Sequence, residues 1–200
     1  TGHLGSYSEV VAMPADTAVL VPDSLSLETA AGMMLQGLTA HYLVTSVHDL
    51  VPGDIALVHA AAGGVGLLLC QMIQARGGEV IGTVSTDAKA DAAVAAGAHH
   101  IIRYDREDVA QRVREITSDK GVQVVYDGVG RDTFDASLHS LAPRGTMALF
   151  GQSSGPVESF DPQILNQLGS LFLTRPSLTH FTGTPEELRW RASEVFEALE

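Results

Sequence analysis

The sequence predicts an α/β chain built on a doubly wound parallel sheet, and three observations predict it. Short apolar runs recur at Ile55–His59, Val80–Val84, His100–Tyr104, Val122–Tyr126 and Thr146–Phe150. Helix-like stretches separate them. A glycine-rich turn, Gly63-Gly64-Val65-Gly66, follows the first run and leads into the apolar helical stretch Leu67–Ala75. Repetition of strand, helix and strand sets parallel strands side by side and covers both faces with helices.

Taken in order, residues 7–22 read as short strands punctuated by Pro14 and Pro22, and resemble the tail of a β-rich domain. A helix starts near Ser26, which precedes Glu28 and Thr29, and its apolar pattern runs from Ala30 to Val47 without proline. It is expected to bridge two domains. The five strands and their helices follow from Ile55, and a sixth apolar run, Ser170–Thr174, would complete the sheet at its edge. Asp105 to Lys120 is the most densely charged stretch and reads as the solvated face of a helix starting near Glu107. Glu186–Glu200 reads as a last amphipathic helix. The expected domains are residues 1–27, the end of a β-rich substrate domain, residues 28–185, the dinucleotide-binding domain, and residues 186–200, a helix leading back toward the substrate domain. The chain opens at Thr1 and stops at Glu200 inside a helical pattern, as a piece of something longer would.

Composition narrows the function classes. A formal charge of −12 with lysine only at positions 89 and 120 argues against nucleic acid or an anionic membrane as partner, because both need a basic footprint. A phosphate ligand must then be held by local features. The single cysteine, Cys70, sits in an apolar run and reads as a small core residue in a cytoplasmic protein. Ile55–Ala75 lacks formal charge over a membrane-spanning length, but Gly63, Gly64 and Gly66 interrupt it, and a strand, turn and helix explain it better. No histidine or cysteine spacing suits a metal, and no metal ligand is assigned.

The glycine turn carries the chemistry. Ala61, Gly63 and Gly66 fill the frame G-x-G-x-x-G with alanine at the first place, between a strand and a helix as the dinucleotide fingerprint requires. Gly63 would admit a pyrophosphate to the backbone, and the helix N-terminus would receive its charge. This makes the fold Rossmann-type. A plain tight turn is the competing reading. In NAD-binding versions a carboxylate about 20 residues beyond the glycines holds the ribose hydroxyls. Here the second strand ends Thr83-Val84-Ser85-Thr86, with no carboxylate until Asp87. Ser85 and Lys89 stand where a 2′-phosphate would sit, so the expected cofactor is NADPH. Lys89 could equally be an exposed lysine at a helix start.

These residues resemble the medium-chain dehydrogenase/reductase superfamily, and within it the zinc-independent quinone oxidoreductases related to zeta-crystallin. The matching strings are Gln36–Tyr42, His59–Gly66, Val125–Gly130, Phe150–Ser154 and Leu173–Ser177. The resemblance implies a GroES-like substrate domain, of which residues 1–27 would be a remnant. It implies an NADPH cradle from Thr39, the turn Ala62, Gly63, Gly64 and Val65, then Ser85, Lys89, Tyr104 and Gly128. Phe150, Gly151, Gln152 and Ser153, and then Leu173, Thr174 and Arg175, would complete it. It further implies hydride transfer to a quinone and a homodimer through the edge strand 170–174. Tyr104 as a core residue, Arg175 as a surface charge and Phe150-Gly151 as strand-end packing are the structural alternatives. Gln36 departs from the family, where a lysine is common, and Gly128 stands where relatives can have serine. The same cradle would serve an enoyl reductase, as in a synthase module, or a module that binds NADPH without turnover. No catalytic residue is assigned.

Overall fold

The computed structural model describes residues 7–199. The chain divides into two compact units, residues 43–176 and residues 1–42 with 177–200. These compact units divide at 42/43 and 176/177, whereas the sequence reading sets domain ends at 27/28 and 185/186. The reason is packing. Helix α1 (Leu27–Tyr42) and helix α7 (Pro185–Glu197) bury their apolar faces on each other, so both belong to the smaller unit.

Within that smaller unit, the Ser26 hydroxyl caps α1 by accepting from the Thr29 amide at 3.1 Å. Gly37 lets α7 approach closely, since a Cβ there would lie 2.6 Å from a Val195 methyl. Arg191 is 1% exposed, donates to the Phe181 carbonyl at 2.7 Å and pairs with Glu187 at 2.6 Å. The strands expected in residues 7–22 are absent; that stretch holds a 3₁₀ turn, Ala15–Thr17, and otherwise irregular chain. A strand needs a neighbour for its backbone donors and acceptors, and the described part of this unit contains no strand to supply one.

The larger unit opens with a π-helical turn, Leu43–Val47, so the long helix expected up to Val47 loses α-helical geometry after Tyr42. Six parallel strands follow: β1 (Ile55–Val58), β2 (Glu79–Val84), β3 (His100–Arg103), β4 (Val122–Asp127), β5 (Leu141–Leu149) and β6 (Phe172–Thr174). Their order is β3-β2-β1-β4-β5-β6. Chain order reverses beside β1, where β4 lies on its other side, and ligands of such sheets bind outside the carboxyl ends at that point. Helices α2 (Gly64–Ala75) and α3 (Asp87–Ala95) pack together, as do α4 (Val109–Ile116) and α5 (Phe134–Ser140). Right-handed crossovers put the two pairs on opposite faces of the sheet.

One core cluster gathers Leu57, Ile81, Val125 and Met147 from alternate strand positions with Val113 and Leu138 from α4 and α5. Cys70 is fully buried on α2, and burial pushes its thiol up to about 11. Strand β5 begins earlier than expected because Leu141 pairs with Val122. Pro143, Arg144 (φ 63°) and Gly145 then form a bulge before Thr146 pairs with Val124. Strand β6 is shorter than its apolar run: Gly169 and Ser170 have positive φ, and Leu171 turns into the core. Among the described residues no helix is long and apolar enough to cross a membrane.

Candidate functional site

Within the larger unit, the residues predicted to hold a cofactor stand at the carboxyl ends of the strands or in the turns and helix starts that follow them. Strand β1 ends at Val58 and the chain turns through Ala60, whose φ is 50°. The Gly63 amide donates back to the Ala60 carbonyl at 2.8 Å and closes the turn. Gly66 is required for packing: a Cβ there would lie 2.3 Å from the Ala60 oxygen, inside contact distance. Gly63 differs. Its φ is −80°, and an added Cβ would meet only the Ala60 oxygen, at 3.1 Å. A larger side chain at 63 would fill open space over the start of α2, where no side chain caps the helix. That space and the positive end of α2 are what a pyrophosphate requires.

Beneath the turn lies a buried polar chain that the sequence reading missed. The Asp127 carboxyl group, at the end of β4, accepts from the amides of Val129 (2.8 Å) and Gly130 (3.0 Å) and from the hydroxyls of Thr133 (2.8 Å) and Ser137 (2.7 Å). Ser137 spends its one proton on Asp127, so it accepts from His59 Nε2 at 3.0 Å. His59 Nδ1 then accepts from the Thr83 hydroxyl at 3.1 Å, and that oxygen accepts from the Ala60 amide at 3.3 Å. This proton order needs a neutral imidazole, and burial lowers the His59 pKa, the nearby Asp127 opposing it more weakly. The Ala61 amide donates to the Thr83 carbonyl at 3.1 Å. Gly82 makes room for the Ala61 methyl, from which a Cβ at 82 would be 2.8 Å away. A strand-ending aspartate before Gly-Val-Gly signals an Asx turn, but nothing in the spacing links it to His59.

The cleft itself is lined by Ala60, Ala62, Gly63, Thr83, Val84, Ser85, Lys89 and Tyr104. Ser85, Lys89 and Tyr104, predicted from separate segments, thus meet the glycine turn in one place. Lys89 Nζ lies 3.3 Å from Ser85 Oγ, and its amide is capped by Thr86 at 3.3 Å. Tyr104 is 52% exposed and is no core residue. A second hollow, which shares Ala60, Thr83 and Tyr104 with the first, reaches Val129 and Thr133 after β4. Arg103, which the sequence reading passed over, donates to the Ser85 carbonyl at 2.9 Å and grips both oxygens of Asp105, at 2.9 and 3.0 Å.

Further along the sheet, Gly128 and Gly151 let the loops after β4 and β5 touch. A Cβ on Gly151 would fall 2.4 Å from the Gly128 oxygen, and one on Gly128 2.9 Å from the Phe150 ring. Phe150 and Gly151 amides donate to the Asp127 carbonyl, and Ser153 donates to that of Gly128. Gln152 is exposed beside them. Leu173 and Thr174 pair with Met147 and Ala148 at the end of β6, and Arg175 follows, exposed. Gly64 and Val65 begin α2. Thr39 belongs to the smaller unit, where its hydroxyl donates to the Leu35 carbonyl at 2.7 Å. Gln36 is exposed on the same helix.

Comparison with known proteins agrees with this geometry. Residues 64–197 match the family model described as zinc-binding dehydrogenase. A quinone oxidoreductase of Salmonella typhimurium is 48% identical over 98% of this chain and 60% of its own length. The crystal structure of Pseudomonas syringae pv. Tomato DC3000 quinone oxidoreductase superposes with a TM-score of 0.97 at 49% identity, covering 100% of this chain and 61% of that one. The Escherichia coli quinone oxidoreductase complexed with NADPH gives a TM-score of 0.90 at 48% identity, over 92% of this chain and 57% of that one. The chain spans about 60% of the length of curated relatives that it matches. Although the family's name carries zinc, no three His, Cys, Asp or Glu side chains among the described residues lie together as metal ligands. The chain belongs to the zinc-binding dehydrogenase family, with the quinone oxidoreductases of the medium-chain dehydrogenase/reductase superfamily as its relatives.

Proposed function

We propose that this chain is the cofactor-binding part of a zinc-independent, NADPH-dependent quinone reductase. One observation carries the cofactor choice: Ser85, Lys89 and Tyr104 line one cleft with the glycine turn. Asp87, the first carboxylate after β2, stands beyond the strand end on the first turn of α3, where it pairs with Arg103. In this reading the turn from Ala62 to Val65 and the start of α2 hold the pyrophosphate, and Lys89, Ser85 and Tyr104 hold the 2′-phosphate. Gly128, residues 150–153 and residues 173–175 line the remainder of the cofactor site within the larger unit. When bound, NADPH supplies a hydride from its nicotinamide ring. The chain's own contribution is to bind, orient and shield. A quinone is already electrophilic, so the reaction asks for no dedicated acid from these residues. The same reading makes residues 1–27 the remnant of a GroES-like substrate domain and the protein cytoplasmic. Its partners are then small conjugated carbonyl compounds, not nucleic acid or membrane, in keeping with the charge of −12.

The full-length protein should oxidise NADPH when a quinone is added. Oxidation with an enoyl thioester instead would make it an enoyl reductase, and cofactor binding without turnover of either would make it a binding module. Calorimetric titration should show NADPH binding more tightly than NADH, and Lys89→Ala should narrow the difference by about ten- to hundred-fold, the worth of one charge-assisted contact. Equal affinities in the wild type would overturn the cofactor assignment.

The assembly we propose is a two-fold dimer in which β6 pairs antiparallel with its mate. Phe172 is 61% exposed on this edge strand, whose outer backbone groups have no strand beside them among the described residues. Sedimentation should give a dimer at micromolar concentration, and Phe172→Lys should shift it toward monomer. A monomeric wild type would sink the proposal.

A further inference from the structure

The 2′-phosphate seat assigned to Lys89, Ser85 and Tyr104 sits among carboxylates. Asp87 lies two residues before Lys89 on the first turn of α3, and Asp105 follows Tyr104 directly. Both are held by one side chain. Arg103 forms an ion pair with Asp87 through Nη1 and a bidentate pair with Asp105 through Nε and Nη2, while Nη2 also donates to the Ser85 carbonyl. Its side chain is only 13% exposed, whereas that of Asp87 is 83% exposed. The guanidinium fork is thus the inner piece and the carboxylates the outer ones. Arg106 reaches Asp105 from outside at 3.5 Å, and Glu107, which accepts from the Arg103 amide, is occupied by Arg112 at 3.4 Å.

Lys89, Arg103 and Arg106 together outweigh Asp87 and Asp105 by one charge, Glu107 being paired with Arg112. Without Arg103, Asp87 would lose its cation and only Lys89 and Arg106 would offset the two carboxylates, so a dianionic phosphate would meet a seat with no net positive charge. The charge on Arg103 is therefore worth most to a ligand that carries the phosphate. NADH, which ends in a hydroxyl at that position, feels it little. We propose that Arg103 is a specificity-determining residue that selects the phosphorylated cofactor by neutralising Asp87 and Asp105 beside the seat. This rests on the reading of Ser85, Lys89 and Tyr104 as that seat.

The test is calorimetric affinity for NADPH and NADH in the full-length protein, at low and at physiological salt. Arg103→Gln keeps a donor at the place of Nε, which bonds Asp105, but removes the charge. It should weaken NADPH about ten-fold or more, move NADH by less than about three-fold, and do so more at low salt, since exposed charges are screened over about 8–10 Å. Adding Asp87→Asn to Arg103→Gln should recover a substantial part of the loss. Asp87→Asn alone changes an exposed side chain and should tighten NADPH by about three-fold without altering NADH, which keeps the test decisive if the arginine variant fails to fold. Equal losses for both cofactors would reduce Arg103 to a structural tie, and an unchanged ratio in Asp87→Asn would overturn the proposal. Failure of the seat itself looks different: wild-type protein would then show no preference for NADPH.

Discussion

The two sides of the cleft are built by opposite means. Under the glycine turn, His59, Thr83, Ser137 and Asp127 are buried and exchange hydrogen bonds in one consistent direction. At the ends of β2 and β3, Arg103, Asp87 and Asp105 are bound at or near the surface by charge, with Lys89 beside them on the Ser85 hydroxyl. A buried hydrogen-bonded chain loses heavily if any member is removed, because each neighbour is left unpaired in a dry place. A surface cluster loses little stability, because water replaces each partner. The first arrangement therefore suits a turn whose shape must not change, and the second suits discrimination between ligands that differ by charge. Variants on the two sides should separate into stability effects and selectivity effects.

The largest effect is expected at Asp127. Asp127→Ala would leave two amides and two hydroxyls without their acceptor at the end of β4. A loss of about 3–5 kcal/mol in urea-unfolding free energy is expected, the range for breaking a buried network. A loss below about 1 kcal/mol would show that the network does not hold the fold, and would erase the distinction between the two sides.

Gly63→Val comes next and should act on binding alone. Its backbone φ of −80° suits any residue and the space beyond Cβ is open, so the domain should fold. The valine would occupy the room over α2, and NADPH affinity should fall by at least about a hundred-fold, or roughly 2.7 kcal/mol. Unaltered circular dichroism with retained affinity would rule out the turn as the pyrophosphate site. Gly66 is the opposite case, since its Cβ would strike the Ala60 carbonyl and disturb the turn itself.

These contrasts also explain what could be read from the sequence. The glycine turn, the alternation of strands with helices, and Ser85 and Lys89 after the second strand were legible because periodicity and local spacing carry them, whereas Tyr104 was supplied by the resemblance to the quinone oxidoreductases. Their side chains lie within a few residues of strand ends that a parallel sheet aligns. The His59 to Asp127 chain was not legible, because its members are 24 and 78 residues apart and become neighbours only through the β1–β4 and β1–β2 pairings. Arg103 escaped for the same reason, reaching 16 and 18 residues back across β2. The strands expected in residues 7–22 show the converse. Alternating apolar residues and prolines resemble a strand locally, but a ladder is a property of two segments.

The smallest effect tests the neutral state of His59. Burial holds its pKa below the ordinary 6.5, so in acid the unfolded chain takes up a proton that the folded chain refuses. Where the unfolded state binds more protons, stability rises with pH. The contribution of His59 is therefore full above about pH 6.5 and falls as the pH drops below it, by up to about 1.4 kcal/mol per unit until the folded group titrates. His59→Gln keeps a donor and an acceptor in roughly the same place but cannot take up the proton. Comparing the two proteins by urea unfolding between pH 7.5 and 5.5 cancels the other titrating groups. The wild type should lose about 1 kcal/mol more than the variant over this interval. Parallel curves would mean that His59 already accepts a proton in the fold, and the proton order drawn from Ser137 to the Ala60 amide would have to be reversed at Thr83, where a charged imidazole would donate instead of accept.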